Sequence, residues 1–181
     1  MRKVTAALFA SVDGVVEAPN LWQFDHFDAE MPALMMAALA KQDTVVMGRR
    51  TYQEWADYWP GNDEDFGAFI NPIPKWVASR TLTGPLAWNN SRLIEGDVVA
   101  FVRELKAGEG GEINVAGSPT LVRHLFLSGV IDTLTLMIHP VLAGSGLRRL
   151  FNTEEPTTRL DLVDHVVTSS GNAVLTYSLR D

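Results

Sequence analysis

Two segments constrain this chain more than any others: residues 45–52, VVMGRRTY, and residues 113–122, INVAGSPTLV. Each is a short apolar run that ends near a glycine and passes into small or cationic residues and then a helical pattern. Each therefore predicts a strand that crosses directly into a helix. The first N–H groups of a helix lack backbone partners and carry partial positive charge, so a glycine-opened crossing is a natural seat for phosphate. A pair of such seats can hold the two ends of a dinucleotide.

Around these crossings, short apolar runs at 4–10, 44–47, 75–79 and 112–116 read as strands. Several are almost continuously apolar, as expected where helices cover both faces of a sheet. Helical stripes lie between them. One begins at Met31 and carries Leu34, Met35, Ala38 and Leu39. A second follows Asp97 as N-cap, with Val98, Phe101, Val102 and Leu105 on one face and Gly108 as its stop. The third has Ser118 as cap and Pro119 in its first turn, and buries Leu121, Val122, Leu125 and Phe126 before Gly129. Such alternation is that of an α/β domain. The last third differs: Leu134, Leu136 and Ile138 alternate as a strand, and 160–168 faces 173–179 across Ser169, Ser170, Gly171 and Asn172 as an antiparallel hairpin. The expected sheet is mixed, mainly parallel, with that hairpin at its C-terminal edge. The stretch 57–74, rich in Gly, Asn, Asp and Pro, reads as a surface loop or short irregular helix.

Composition narrows the function classes. A chain of 181 residues with 46% hydrophobic and 20% charged residues fits one domain, spanning 1–181, with a full core. Its net charge of -7 disfavours a nucleic-acid face, so any anion must be held by local groups. Cysteine is absent, which excludes disulfides, thiolate nucleophiles and Cys-ligated metals. With no apolar run of membrane-spanning length and no signal core, a cytoplasmic protein with no membrane partner is expected. No G-x-S-x-G, paired-carboxylate or thiol-His pattern points to hydrolysis. Asp25, His26, Asp28 and Glu30 have the spacing of no familiar site, so no metal is expected, and His124 and His139 read as structural. The aromatic loop 19–28, with Trp22, Phe24 and Phe27, either floors a ring-binding pocket or packs on the core as a lid.

MGRRTY at 47–52, SRTL at 79–82 and AGSPTL at 116–121 resemble the three cofactor-binding stretches of the dihydrofolate reductase fold. SVDG at 11–14 and HPVLAGSG at 139–146 are similar to the reductase domain of the riboflavin-biosynthesis deaminase-reductases. The blocks run in family order from end to end. The resemblance implies a dihydrofolate reductase-like three-layer α/β/α fold and NADPH as cofactor. It sets Gly48 at the first phosphate turn, Arg49 and Arg50 at the 2'-phosphate, and Thr51 at the pyrophosphate. Ser79, Arg80 and Thr81 would bracket the adenosine end, and Gly117, Ser118, Pro119 and Thr120 would approach the pyrophosphate. Ala7 and the SVDG loop would border the nicotinamide; Asp13, or a water it orients, is the candidate for polarising or protonating the acceptor, and Trp22 of the aromatic loop with Asp28 and Glu30 are the candidates for the substrate. The implied activity is hydride transfer to a small heterocyclic or carbonyl substrate, phosphoribosylaminouracil reductase-like, by a stand-alone homodimeric domain. Alternatives are a dihydrofolate reductase using Asp28 or Glu30, and a non-catalytic nucleotide-binding module.

Two departures from the family accompany this. Pro32 stands near the place of the helix carboxylate of dihydrofolate reductases, and Ala116-Gly117 stands where paired glycines share a cis peptide. Local readings coexist with the family roles. Arg49 and Arg50 can be solvated charges, Thr51 and Glu54 have capping-box spacing, and 79–81 can be a plain turn. Asp13-Gly14 is a common turn pair, and Gly144, Ser145 and Gly146 read as a turn.

Overall fold

The near-continuous apolar runs form the middle of an eight-stranded sheet, where both faces are covered and a strand has no side for polar groups. The structure, a computed structural model, describes residues 1–144, 146–151 and 154–180. Its strands are β1 (Val4–Ser11), β2 (Gln42–Gly48), β3 (Lys75–Ala78), β4 (Ser91–Leu93), β5 (Glu112–Gly117), β6 (Thr133–His139), β7 (Leu160–Val167) and β8 (Ala173–Leu179). Its helices are α1 (Glu30–Leu39), α2 (Arg49–Tyr58), α3 (Asp65–Ile70), α4 (Val98–Ala107) and α5 (Pro119–Leu127). The strand order is β4-β3-β2-β5-β1-β6-β8-β7. All pairings among β1 to β6 are parallel, and β8 runs antiparallel to both β6 and β7.

The chain steps outward from β1 to β4 and then returns to insert β5 between β2 and β1. The C-terminal ends of β1, β2, β3, β5 and β6 consequently open along one edge, at a switch point of the kind where α/β sheets bind ligands. Helices α4 and α5 cover one face, packing Val102, Val122, Leu125 and Phe126 on Val4, Ala6, Val46, Ile113, Val115 and Leu134. Helices α2 and α3 cover the other through Tyr52 and Ile70, on Val45, Met47 and Val77. Each such buried side chain contributes about 1.5–3 kcal/mol.

A charged residue lies inside this second cluster. Lys75 is fully buried, and its Nζ donates to the carbonyls of Ile70 (2.9 Å), Asn71 (3.0 Å) and Ile73 (2.8 Å), 4.7 Å from the centre of the Trp88 ring. It thereby closes the C-terminus of α3, whose carbonyls have no helical partner. Burial pushes its pKa down to about 8, which still leaves an ammonium at neutral pH.

The helix signal holds in detail at α4, where Asp97 accepts the N–H of Ala100 at 2.8 Å; α5 has Ser118 at its N-cap position, without a side-chain capping bond, and Pro119 in its first turn. Thr51 makes no capping box, because Gly48 is the N-cap of α2 and Thr51 is its third residue. The stretch 57–74 contains the end of α2 and the six-residue α3. Gly144 and Gly146 both take positive φ, as turn residues do, while Ser145 lies outside the described residues. Among the described residues no helix is long and apolar enough to cross a membrane.

Candidate functional site

The three motif stretches meet because their strands are neighbours. Met47 of β2 lies opposite Gly117 of β5, and Gly48 opposite Ala78 of β3. Helices α2 and α5 therefore start side by side, with 79–82 beginning next to them. A Cβ at Gly48 would lie 2.5 Å from Ser118 Oγ, and one at Gly117, whose φ is +131°, would lie 2.9 Å from Thr51 Oγ1. Only glycine lets the two crossings close to this distance. Thr51 Oγ1 donates to Ser118 Oγ at 3.5 Å across the junction. The cis peptide lies between Gly117 and Ser118, one residue later than the Ala116-Gly117 position expected from the motif. Ser118 is the residue that comes against Gly48.

Around this junction the side chains are partly uncommitted. Arg49 and Arg50 are exposed; Arg49 Nη1 donates to Gln53 at 3.2 Å and Arg50 Nη1 lies 3.5 Å from Glu17. Ser79 Oγ accepts the N–H groups of Thr81 (3.2 Å) and Leu82 (2.9 Å), so this stretch is a tight turn, with Arg80 exposed upon it. Thr120 is exposed at the start of α5. Ala7 is exposed although β1 is hydrogen-bonded on both sides, to β5 and β6. The sheet surface above Ala7 is thus open, a flat floor on which a planar ring can lie, and its small side chain keeps it so.

The acidic candidates are committed elsewhere. Asp13 accepts from Ser11 Oγ (2.6 Å), from the N–H groups of Ala143 (3.0 Å) and Gly144 (3.2 Å), and from Arg149 Nη2 (3.3 Å). The Ser11 hydroxyl, then the two amides, hold its pKa below the ordinary carboxylate value. Asp13 is therefore an anion that ties the SVDG loop to the segment after β6. Asp28 Oδ1 accepts the N–H groups of Glu30 and Met31, both at 3.0 Å, and starts α1. Its Oδ2 accepts from Thr168 Oγ1 (2.5 Å) and Asn172 Nδ2 (3.2 Å), and the Thr168 hydroxyl is the largest cause of a pKa of about 2. Glu30 Oε2 accepts from Ser169 N (2.7 Å) and Oγ (2.6 Å). Both carboxylates fasten the β7–β8 turn to the start of α1. Trp22 Nε1 donates to Glu17 O at 3.1 Å, and its ring lies edge-on to His139 with centroids 6.0 Å apart. Through Trp22 the loop 19–28 packs on His139 at the end of β6.

Sequence reasoning missed Arg148 and Arg149. Arg149 Nε donates to the Asp13 carbonyl at 2.7 Å, and the Arg148 N–H donates to Glu17 Oε2 at 3.0 Å, so the pair stands against the SVDG loop. The signal that could have found them was a second Arg-Arg pair, matching Arg49-Arg50, in a chain of net negative charge. Taken together, the arrangement can seat phosphate at two adjoining helix starts, supply guanidinium groups beside it, and lay a flat ring toward Ala7.

The family model of the RibD C-terminal domain matches residues 2–174. The uncharacterized protein YyaP of Bacillus subtilis is 26% identical over 181 residues, covering 97% of this chain and 94% of its own length. Among solved structures, a putative riboflavin biosynthesis protein from Shewanella sp. PV-4 superposes with a TM-score of 0.73 at 21% identity, over 99% of each chain. Dihydrofolate reductase from Enterococcus faecalis, complexed with NADP(H), superposes with a TM-score of 0.62 at 13% identity, over 99% of this chain and 97% of its own. At such identities the structural likeness is one of fold.

Proposed function

This chain belongs to the RibD C-terminal domain family, and from that premise we propose that it is a cytoplasmic NADPH-dependent reductase, riboflavin-biosynthesis reductase-like, acting on a small heterocyclic or carbonyl substrate. The observation that carries the reading is the junction of Gly48 with Gly117-Ser118 beside an open Ala7. It offers a cradle that any Cβ would fill, next to a free floor for a ring. The residues fit a dinucleotide: the N–H groups at the starts of α2 and α5 would hold its pyrophosphate, with Thr51, Ser118, Pro119 and Thr120 lining the seat. Arg49 and Arg50 supply the fork that suits a 2'-phosphate, and Ser79, Arg80 and Thr81 flank the adenosine. The cofactor supplies the hydride when bound. This chain's part is to hold the ring against the acceptor and to exclude water, the loops fastened by Asp13 forming the wall.

Calorimetric titration with NADPH and NADH tests the reading. NADPH binds more tightly, and Arg49→Ala and Arg50→Ala narrow the gap, each by the roughly 1.5–3 kcal/mol of a charge-assisted contact, about tenfold to a hundredfold. Equal affinity of the natural chain for both cofactors overturns it. Dihydrofolate-dependent oxidation of NADPH belongs in the same assay as the dihydrofolate reductase arm. Tight NADPH binding without turnover on any acceptor identifies a binding module instead.

We also propose a homodimer. The edge strand β7 leaves Leu162, Val163, Val166 and Val167 exposed by 53%, 55%, 37% and 66%, with one hydrogen-bonding edge unpaired in the sheet, which suits a second copy.

A further inference from the structure

We propose that His139 is a positioning residue and a pH-sensitive latch: its neutral imidazole seats the loop 19–28 on the end of the sheet, and its protonation lets that loop go. The device does not depend on the reductase reading above.

The loop is held at few points. Its two short 3₁₀ turns, Pro19–Leu21 and Phe24–His26, bury none of their own residues, and the side chains of Leu21 and Phe24 stand in solvent. At its entry Ala18 takes a φ of 47°, a conformation that alanine disfavours. At its exit Asn172 Nδ2 donates to His26 O at 2.7 Å. Between those ends the loop is attached through rings. Phe27 meets Phe9 with centroids 6.0 Å apart, and Trp22 lies against His139 while its Nε1 donates to Glu17 O. Gln23 is buried as well, but its Oε1 has no hydrogen-bond partner among the described residues. A segment with so few buried contacts opens at low cost, so the seat under Trp22 decides whether it stays closed.

That seat suits an uncharged imidazole. His139 is fully buried between Phe9 and Trp22, with neither ring nitrogen hydrogen-bonded among the described residues. Protonation adds a second N–H donor and a full charge between two aromatic rings. The surrounding groups are committed elsewhere. Asp28 acts on His139 electrostatically, but its Oδ1 is taken by Glu30 N and Met31 N and its Oδ2 by Thr168 Oγ1 and Asn172 Nδ2. Glu30 is bound to Ser169, Asp25 is exposed, and the charge of His26 opposes a second cation. From the β8 side the pairing of Ile138 with Ala173 sets Asn172 beside His139. Asn172 Oδ1 is buried and unpartnered among the described residues. The amide is one planar unit, however, and a turn that brings Oδ1 to an imidazolium draws Nδ2 off the His26 carbonyl, which is the loop's anchor. Release of the loop is therefore the route by which the charge reaches water, and it is favoured as pH falls below about 6.5, the ordinary histidine value. Glu17, whose carbonyl holds Trp22, has its carboxylate 3.5 Å from Arg50, so the release reaches the start of α2.

The test is fluorine nuclear magnetic resonance of the full chain labelled with 5-fluorotryptophan. The five indoles are at 22, 55, 59, 76 and 88, and Trp22→Phe identifies the resonance of the loop. Between about pH 7 and pH 5 the Trp22 resonance moves reversibly toward the position of the free amino acid, with a midpoint below about 6.5, while the other resonances stay. In His139→Leu and His139→Gln, which carry no titrating group at the seat, it stays in place over the same range; His26→Gln keeps the transition. A Trp22 resonance that does not move in the natural chain, one that moves only together with the others, or an equal shift in a folded His139 variant overturns the latch. Loss of the fold in both His139 variants, whose neutral side chains the seat should accept, overturns it as well.

Discussion

A fully buried imidazole shows how far a residue's chemistry depends on its surroundings. His139 is 0% exposed, packs between the rings of Phe9 and Trp22, and neither ring nitrogen has a hydrogen-bond partner among the described residues. Burial, then the nearby His26, push its pKa down, and Asp28 opposes them. A folded state that resists protonation loses stability as pH falls below the unfolded value of about 6.5, and keeps it above that value. The natural chain therefore melts at progressively lower temperature from pH 7 to pH 5, each tenfold difference in proton affinity between the folded and unfolded chain being worth about 1.4 kcal/mol, and His139→Leu flattens that limb. Parallel melting profiles for the two would refute this. Asp28 does not confuse the result, since a carboxyl lowered from 3.8 to about 2 loses its contribution as pH falls from the ordinary carboxylate value toward 2, beneath the limb from pH 7 to pH 5. At this scale the glycines were legible, and the partners of the acids within the chain were not. Gly48 and Gly117 are demanded by a close approach, whereas Asp13, Asp28 and Glu30 look alike in sequence whether they meet a substrate or a neighbouring turn.

Elements were legible in proportion to their length and their caps. Helices α4 and α5 carry Asp97, and Ser118 with Pro119, ahead of ten and nine residues of apolar period, enough to fix both start and face. Helix α3 has six residues and β4 three, too few for a period to register. Strand β4 exists because β3 offers an edge, pairing Lys75 with Ser91, Trp76 with Arg92 and Val77 with Leu93. Helix α3 is held from outside by the Lys75 ammonium at its C-terminal carbonyls. Lys75→Met fills similar volume but leaves the carbonyls of Ile70, Asn71 and Ile73 without that donor, which costs about 1–3 kcal/mol. With roughly 2–4 °C per kcal/mol for a chain of this size, melting falls by several degrees. A melting temperature equal to or above that of the natural chain would show that the buried cation contributes nothing net.

For the whole molecule, β7 stands at the edge of the sheet with exposed apolar side chains. If the second copy proposed above docks there, Val163→Lys together with Val167→Lys converts a dimer to a monomer in sedimentation at micromolar concentration, because two desolvated charges oppose the contact. A natural chain that sediments as a monomer overturns the dimer. Other features of the architecture were written in the sequence itself. Apolar period and length gave the parallel α/β core, alternation gave the antiparallel hairpin, and glycine with its following residues marked both crossings, because local backbone preference and burial pattern act over a few neighbouring residues. Only the tertiary structure decided that β5 inserts beside β2 and brings Gly117-Ser118 against Gly48. It alone set the Asp13 carboxylate on the amides of Ala143 and Gly144 and gathered Arg123, Arg148 and Arg149 around one cavity. Those partners lie far apart along the chain, and which of them meet is set by sheet order and loop closure, which no local pattern encodes.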